Sequence, residues 1–323
     1  MQGKVLLEAR SAHPVYVGVD VCKDHLDIYL HPLARHERVA NDRNGLQRLK
    51  RLLAGHDVAL VVMEATAKYH RHAHRSLNQS GFAVAVVNPL RARLFAEAVG
   101  AHAKTDRVDA RMLAILGEAL GPQAKPPAPA AIEALQELVH ARNAATAART
   151  ALTNRLAASQ GSFLRKELRQ LLKSLEDHTK RLVAAIAAHI AADPALARRY
   201  EILLSIPGIG PGVASDLLGD LAELGSLDRC AIAALAGLAP FADDSGQTTG
   251  QRHIKGGRAN PRRALYWAAL TASRRNPHLS VFYKRLIECG KKPKVALTAV
   301  MRKLVILANT LLKENRLWVN HAA

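Results

Sequence analysis

Four carboxylates stand where packing gives no reason for them. Asp20 closes the apolar run YVGVDV (16–21), and Glu64 closes VALVVMEA (58–65). Asp106 and Asp109, three apart in KTDRVDARMLA, leave one face if that segment is helical. If the two apolar runs are neighbouring parallel strands, their acids emerge on one sheet edge, where they repel without a cation. Converging hard oxygens suit Mg²⁺ or Mn²⁺. Two such ions about 4 Å apart can activate a nucleophile and stabilise the leaving oxygen in phosphodiester transfer. Singly, each acid has a plainer reading: Asp20 as a turn cap, Glu64 as the opening of the next helix, Asp106 and Asp109 as an N-cap and a first-turn acid. Their joint placement on strand one, strand four and a late helix favours a site.

A second constellation lies at 243–263, DDSGQTTGQRHIKGGRANPRR. Here Ser245-Gly246 precedes Arg252, His253, Lys255, Arg258, Arg262 and Arg263, a loop suited to cradling a phosphate. Ser245 reads either as a turn residue or as a nucleophile, although no adjacent base is evident to activate it. Upstream, IPGIGPG (206–212) resembles a helix-hairpin-helix whose Gly208 and Gly210 amides would hold a DNA phosphate; a simple turn between packed helices reads equally well. Lys104 and Arg107, beside the helical acids, complete the expected nucleic-acid contacts. His70, His72 and His74 lack a further ligand at recognisable spacing for zinc and read as a solvated basic face.

The elements that must position these residues follow from periodicity. YVGVDV and LDIYLH read as a hairpin, a weak third strand lies near 37–40, and Leu46, Leu49, Leu52 and Leu53 switch to helical spacing. Strands at 58–65 and 82–87 alternate with helices at 69–79, 91–99 and 105–120, so the first part reads β-β-β-α-β-α-β-α-α. A meander followed by βα units is the ribonuclease H type of α/β layout. GPQAKPPAPA (121–130) breaks any helix and marks a linker. Residues 131–200 read as long helices, with Leu168, Leu171, Leu172, Leu175, Leu182, Ile186 and Ile190 as a seam for an antiparallel hairpin or a partner helix. The last third reads as mostly α, with helices beginning near Pro261 and Pro293. The expected divisions are 1–121, 122–200 and 201–323.

Composition narrows the partner. Lys and Arg number 46 against 27 Asp and Glu, a formal net charge of +19, which attracts a polyanion. No apolar run reaches the ~20 residues that cross a bilayer and no signal-peptide core is evident, so nucleic acid is preferred to a membrane. Three scattered cysteines suggest neither a disulfide framework nor a zinc knuckle and fit a reducing cytoplasm. With aromatics at 4%, backbone phosphate contact is the expected mode rather than recognition built mainly on stacking.

Five ordered blocks, GVDVCKDHLDIYL, VVMEATAKYH, KTDRVDARMLA, SIPGIGPGVAS and LAGLAPFADDSGQTTGQRHIKGGRANPRRALY, resemble the DEDD transposases of bacterial insertion sequence family 110, relatives of the Piv DNA invertase. The resemblance covers nearly the whole chain; the His70–His74 cluster and the proline-rich linker look particular to it. It implies a RuvC-like N-terminal domain whose Asp20, Glu64, Asp106 and Asp109 bind Mg²⁺, a coiled-coil middle, and a C-terminal transposase domain whose Ser245 attacks DNA and is transiently joined to it. It further implies a structured noncoding bridge RNA pairing with donor and target DNA, and a tetramer of two dimers with composite sites, acting in the cytoplasm at the nucleoid. Two other readings are a structure-specific nuclease using water as nucleophile, and a non-catalytic basic nucleic-acid-binding protein.

Overall fold

A computed structural model describes residues 14–66, 68–101, 105–246, 248, 250 and 252–320. Lys104, expected at a phosphate, lies outside them. The chain divides into two compact units, Met1–Pro127 and Ala128–Ala323.

The first unit opens with β1 (Val15–Val21), β2 (His25–His31) and β3 (Arg35–Ala40), then α1 (Arg43–Ala54), β4 (Val58–Glu64), α2 (His70–Gln79), β5 (Val84–Val87), α3 (Pro89–Ala98) and α4 (Asp106–Leu120). The sheet order is β3-β2-β1-β4-β5, with β1–β3 antiparallel and β4 and β5 parallel to β1. This mixed α/β arrangement is the expected one. Alternation along each strand supplies two faces. Val15, Val17, Val19 and Val21 pack with Leu26, Ile28, Leu30 and the leucines of α1 on one side. Leu60, Val62, Ala85 and Val87 meet Leu113 and Leu116 of α4 on the other.

α4 lies against the sheet because β1 has no side chain at Gly18. A Cβ there would sit 1.9 Å from the Ala110 carbonyl oxygen and 2.5 Å from the Ala114 amide nitrogen. Thr105 caps α4 by accepting from the Val108 amide at 3.3 Å. The proline-rich segment that follows is tied down within this unit. The Lys125 amide donates to Val84, and His74 Nε2 donates to the Lys125 carbonyl at 2.8 Å. His74 is therefore buried rather than part of a solvated face; linker backbone supplies its partner.

The second unit begins with an antiparallel pair, α5 (Ala130–Ala158) and α6 (Ser162–Ala192), followed by α7 (Pro194–Ser205), α8 (Pro211–Asp220) and α9 (Arg229–Leu235). A two-stranded ribbon, β6 (Pro240–Phe241) with β7 (His253–Ile254), precedes α10 (Ala259–Arg275), α11 (Pro277–Glu288) and α12 (Pro293–Lys313). Of the expected seam, Leu168, Ile186 and Ile190 are buried and Leu172, Leu175 and Leu182 half-buried, but Leu171 points to solvent. The division expected at 200/201 falls inside α7. Ile132, Leu135 and Val139 of α5 share one core with Leu203, Leu217 and Leu304, so the base of the helical pair and the C-terminal helices are one packed body.

Two elements were not anticipated. The ribbon is too short to leave a periodic signal, and α11 starts at Asn276-Pro277, where the Asn276 side chain accepts from the His278 and Leu279 amides. α12 also corrects the reading of the apolar runs: it is long and apolar enough to cross a membrane by length and composition. Its buried face, including Leu297, Val300, Leu304, Ala308 and Leu311, fills the core instead, while Arg302 and Lys303 interrupt it midway.

Candidate active site

In β1 the even positions face α4, and Asp20 is the last of them. Glu64 has the same phase as Leu60 and Val62 at the end of β4. The parallel register pairs Gly18 with Val62 and Val19 with Met63, and two residues further along Gly18 leads to Asp20 and Val62 to Glu64. Both carboxylates thus leave the carboxyl ends of adjacent parallel strands, where open α/β sheets hold their ligands. The first turn of α4 contributes Asp106 and Asp109. All four acids line one cavity of about 790 Å³, together with Cys22 and Arg93.

The electrostatics carry the mark of this convergence. The Asp20 carboxyl is pushed from 3.8 up to about 6, first by burial and then by the charges of Asp109, Asp106 and Glu64, with the Val21 amide pulling the other way. The neighbouring Cys22 thiol is also pushed up, by burial and then by Asp20 and Asp106. A half-buried cluster of carboxylates that raises its own member's pKa is short of positive charge. An all-oxygen donor set of this kind fits a hard divalent cation.

Ser245 lies in the excursion between β6 and β7 and is exposed. Its amide and carbonyl exchange hydrogen bonds with Thr248, at 3.1 and 2.9 Å, and Gly246 adopts φ +54. Asp244 braces this turn, accepting from the Gly250 amide at 3.1 Å and pairing with Arg252 at 2.9 Å. Among the described residues no base is hydrogen-bonded to the Ser245 hydroxyl.

Two family models match the segments that carry these residues. A DEDD transposase family model of the IS110 group matches residues 17–159, and a model for transposases of the IS116/IS110/IS902 family matches 200–284. Together they take in well over half of the chain, including all four acids and Ser245. The chain belongs to the IS110 family of transposases. It is 27% identical over 93% of its length, and 96% of the relative's, to a pilin gene-inverting protein of Moraxella bovis. It is 31% identical to an insertion element IS900 protein of Mycobacterium paratuberculosis over 55% of this chain and 46% of that one. A solved structure, T. thermophilus RuvC in complex with Holliday junction substrate, aligns with 35% of the chain and 99% of its own length at a TM-score of 0.27 and 13% identity.

Several cations expected to touch nucleic acid in this IS110 transposase are committed internally. Arg258 forms two 2.7 Å bonds to Glu223 and a 2.8 Å bond to the Asp220 carbonyl. Arg262 donates to the carbonyl of Gly256 at 2.7 Å, and Arg252 braces the serine turn. These contacts share a cause: folded carboxylates and loop carbonyls compete for guanidinium donors. Arg107, Lys255 and Arg263 are exposed. At the expected helix-hairpin-helix, Gly208 (φ +112) packs so closely on α10 that a Cβ would lie 2.6 Å from that of Ala272, so its lack of a side chain serves helix packing. Gly210 has open space around it.

Three residues near the transposase acids escaped sequence reading. Asp27, 4% exposed on β2 and directly opposite Asp20, accepts two 2.8 Å bonds from Arg38. Arg38 reaches on to Asp106 at 3.1 Å, and His25 Nε2 lies 3.3 Å from Asp27 and 3.7 Å from Asp106. His25, Asp27 and Asp106 are spaced closely enough to hold an ion. The available signal was the acid inside the apolar run LDIYL, the same anomaly that marks Asp20.

Proposed function

We propose that this IS110-family enzyme cuts and rejoins DNA strands for the movement of an insertion sequence, with Asp20, Glu64, Asp106 and Asp109 holding Mg²⁺ or Mn²⁺ and Ser245 as the nucleophile. The observation that carries the reading is the convergence of the four carboxylates, expressed in the raised Asp20 carboxyl. A bound divalent ion would supply Lewis-acid polarisation of the phosphoryl group and stabilise the leaving oxygen. The tetrad side chains orient that centre, and Asp20 must give up its proton to join it. The Ser245 Oγ gives up its proton and forms a bond to phosphorus as the bond to the departing strand oxygen breaks, that oxygen leaving as a protonated hydroxyl. A strand hydroxyl then reverses the step, releasing Ser245. Donor and target are DNA, guided by a bridge RNA. The helical pair α5/α6 is the dimerising element of a tetramer in which the tetrad of one subunit meets the serine of another, in the cytoplasm at the nucleoid.

A water-using nuclease remains a second reading because Ser245 has no hydrogen-bonded base among the described residues. A protein–DNA adduct that resists denaturation, present in the parent and absent in Ser245→Ala, is the expected outcome. Recombination retained by Ser245→Ala overturns the serine role. Recombination retained by Asp20→Ala overturns the metal role.

A further inference from the structure

The outer face of α10 leaves an indole open to solvent. Trp267 is one of only two tryptophans in the chain and is 60% exposed, although an indole is among the side chains that gain most from burial. Helical phase places Arg263, Trp267, Thr271 and Arg274 within an arc of about 80°, all solvent-facing, while Ala264, Leu265, Ala268, Ala269 and Ala272 face the core. The two arginines lie about 6 Å before and about 10 Å beyond the indole along the helix axis. The ring is held rather than loose: half-buried Tyr266, packed on the core, meets it edge-on at 5.6 Å and 79°. Asn260 accepts from Arg263 at 3.2 Å and steadies the first cation.

Charge selects the partner. From Ser245 to Ile287 the sequence holds nine Lys and Arg and no Asp or Glu, so an acidic surface is favoured and a basic or neutral one is not. We infer that Trp267, flanked by Arg263 and Arg274, is a stacking platform for one unpaired base of a nucleic-acid strand whose phosphates the two arginines contact. A fixed indole has a flat face for any base, and guanidinium groups on either side along the axis suit the backbone that carries it. A base inside an intact duplex is already stacked on both sides, so the occupant is a strand that is open there. An opened DNA strand and an RNA loop present the same chemistry. The low aromatic content of the chain is consistent with a single stacked base added to phosphate recognition.

This deepens the reading of the chain as a recombinase and rests on nucleic acid being its partner, but not on the tetrad or Ser245. The test therefore uses full-length protein in EDTA, where no strand is cut. With Trp318→Phe in place, Trp267 is the one remaining indole, and its fluorescence is followed on titration with single-stranded DNA, single-stranded RNA and duplex DNA of one sequence. Quenching by one or both single strands is expected, with Trp267→Ala lowering that affinity about tenfold, Trp267→Phe recovering part of it, and duplex affinity changing less than twofold. The single strand that quenches more identifies the source. Unchanged fluorescence with unchanged affinity in Trp267→Ala overturns the inference. So does a fall in oligomer size for Trp267→Ala with affinity per subunit preserved, which would make the indole a protein contact. If the parent binds no nucleic acid at all, the recombinase reading itself fails.

Discussion

At the residue scale the site is organised by shortage of positive charge. Between pH 4 and 6 the folded, metal-free protein keeps a proton on Asp20 that the unfolded chain releases, so stability from this group is present at low pH and is lost as pH rises through about 6. In EDTA, Asp20→Asn is expected to melt a few degrees above the parent at pH 7.5, and most of the gap should close by about pH 4. Melting curves at the two pH values test this, and a variant that melts lower at both would contradict it. Mn²⁺ should raise the melting point of the parent and not of the variant. Arg38 acts one step away, holding Asp27 and Asp106 together. Partners that orient ligands typically change metal affinity by about 10–100-fold. Arg38→Ala is therefore expected to raise the Mn²⁺ concentration for half-maximal thermal protection at least about tenfold. Arg38→Lys, which lacks the fork, should restore only part.

At the element scale, α4 brings two acids to the sheet only because β1 lets it approach at Gly18. Gly18→Ala would drive a methyl group into backbone, at a cost of about 1–3 kcal/mol for overpacking, and would lift Asp106 and Asp109 away from Asp20 and Glu64. Loss of Mn²⁺-dependent stabilisation with the sheet retained by circular dichroism is expected; a variant with normal metal response would show that α4 is positioned otherwise. The helical pair shows a different logic. Its base is packed into the second unit, whereas Phe163, Leu171 and Val183 along its length are 76%, 52% and 50% exposed, more apolar surface than a lone hairpin accounts for. Leu171→Glu and Val183→Glu together are expected to lower the oligomeric state in sedimentation while leaving the monomer's helicity unchanged. An unaltered oligomer would place the subunit contact elsewhere.

For the whole molecule, the net charge of +19 predicts affinity for DNA that falls steeply with salt, but not every cation contributes. Lys255→Ala and Arg263→Ala should each reduce the slope of log affinity against log salt by about 1. Arg258→Ala, whose guanidinium is spent on Glu223 and Asp220, should lower the melting point and leave that slope nearly unchanged. Binding isotherms at several salt concentrations, read beside thermal melts, separate the two classes.

Periodicity and anomaly by themselves determined much of this protein. The strands, most of the helices, the linker and the four acids were legible because each is a local signal: alternation, helical spacing, proline density, or a charge inside an apolar run. The five motif blocks gave the family. Only tertiary structure decided which charges face one another. Asp27, Arg38 and His25 come from β2 and β3 and meet Asp106 from α4, about 70 residues later, a proximity set by sheet register and by the bare backbone at Gly18. Arg252, Arg258 and Arg262 looked like free cations because a sequence does not say where a carboxylate will fold. α11 and the short ribbon carrying Ser245 were hidden since their order comes from capping and packing rather than from a repeat. The repulsion of the four acids was foreseeable from sequence only on the condition that the two apolar runs are parallel neighbours; the pairing of β1 with β4 is what meets that condition.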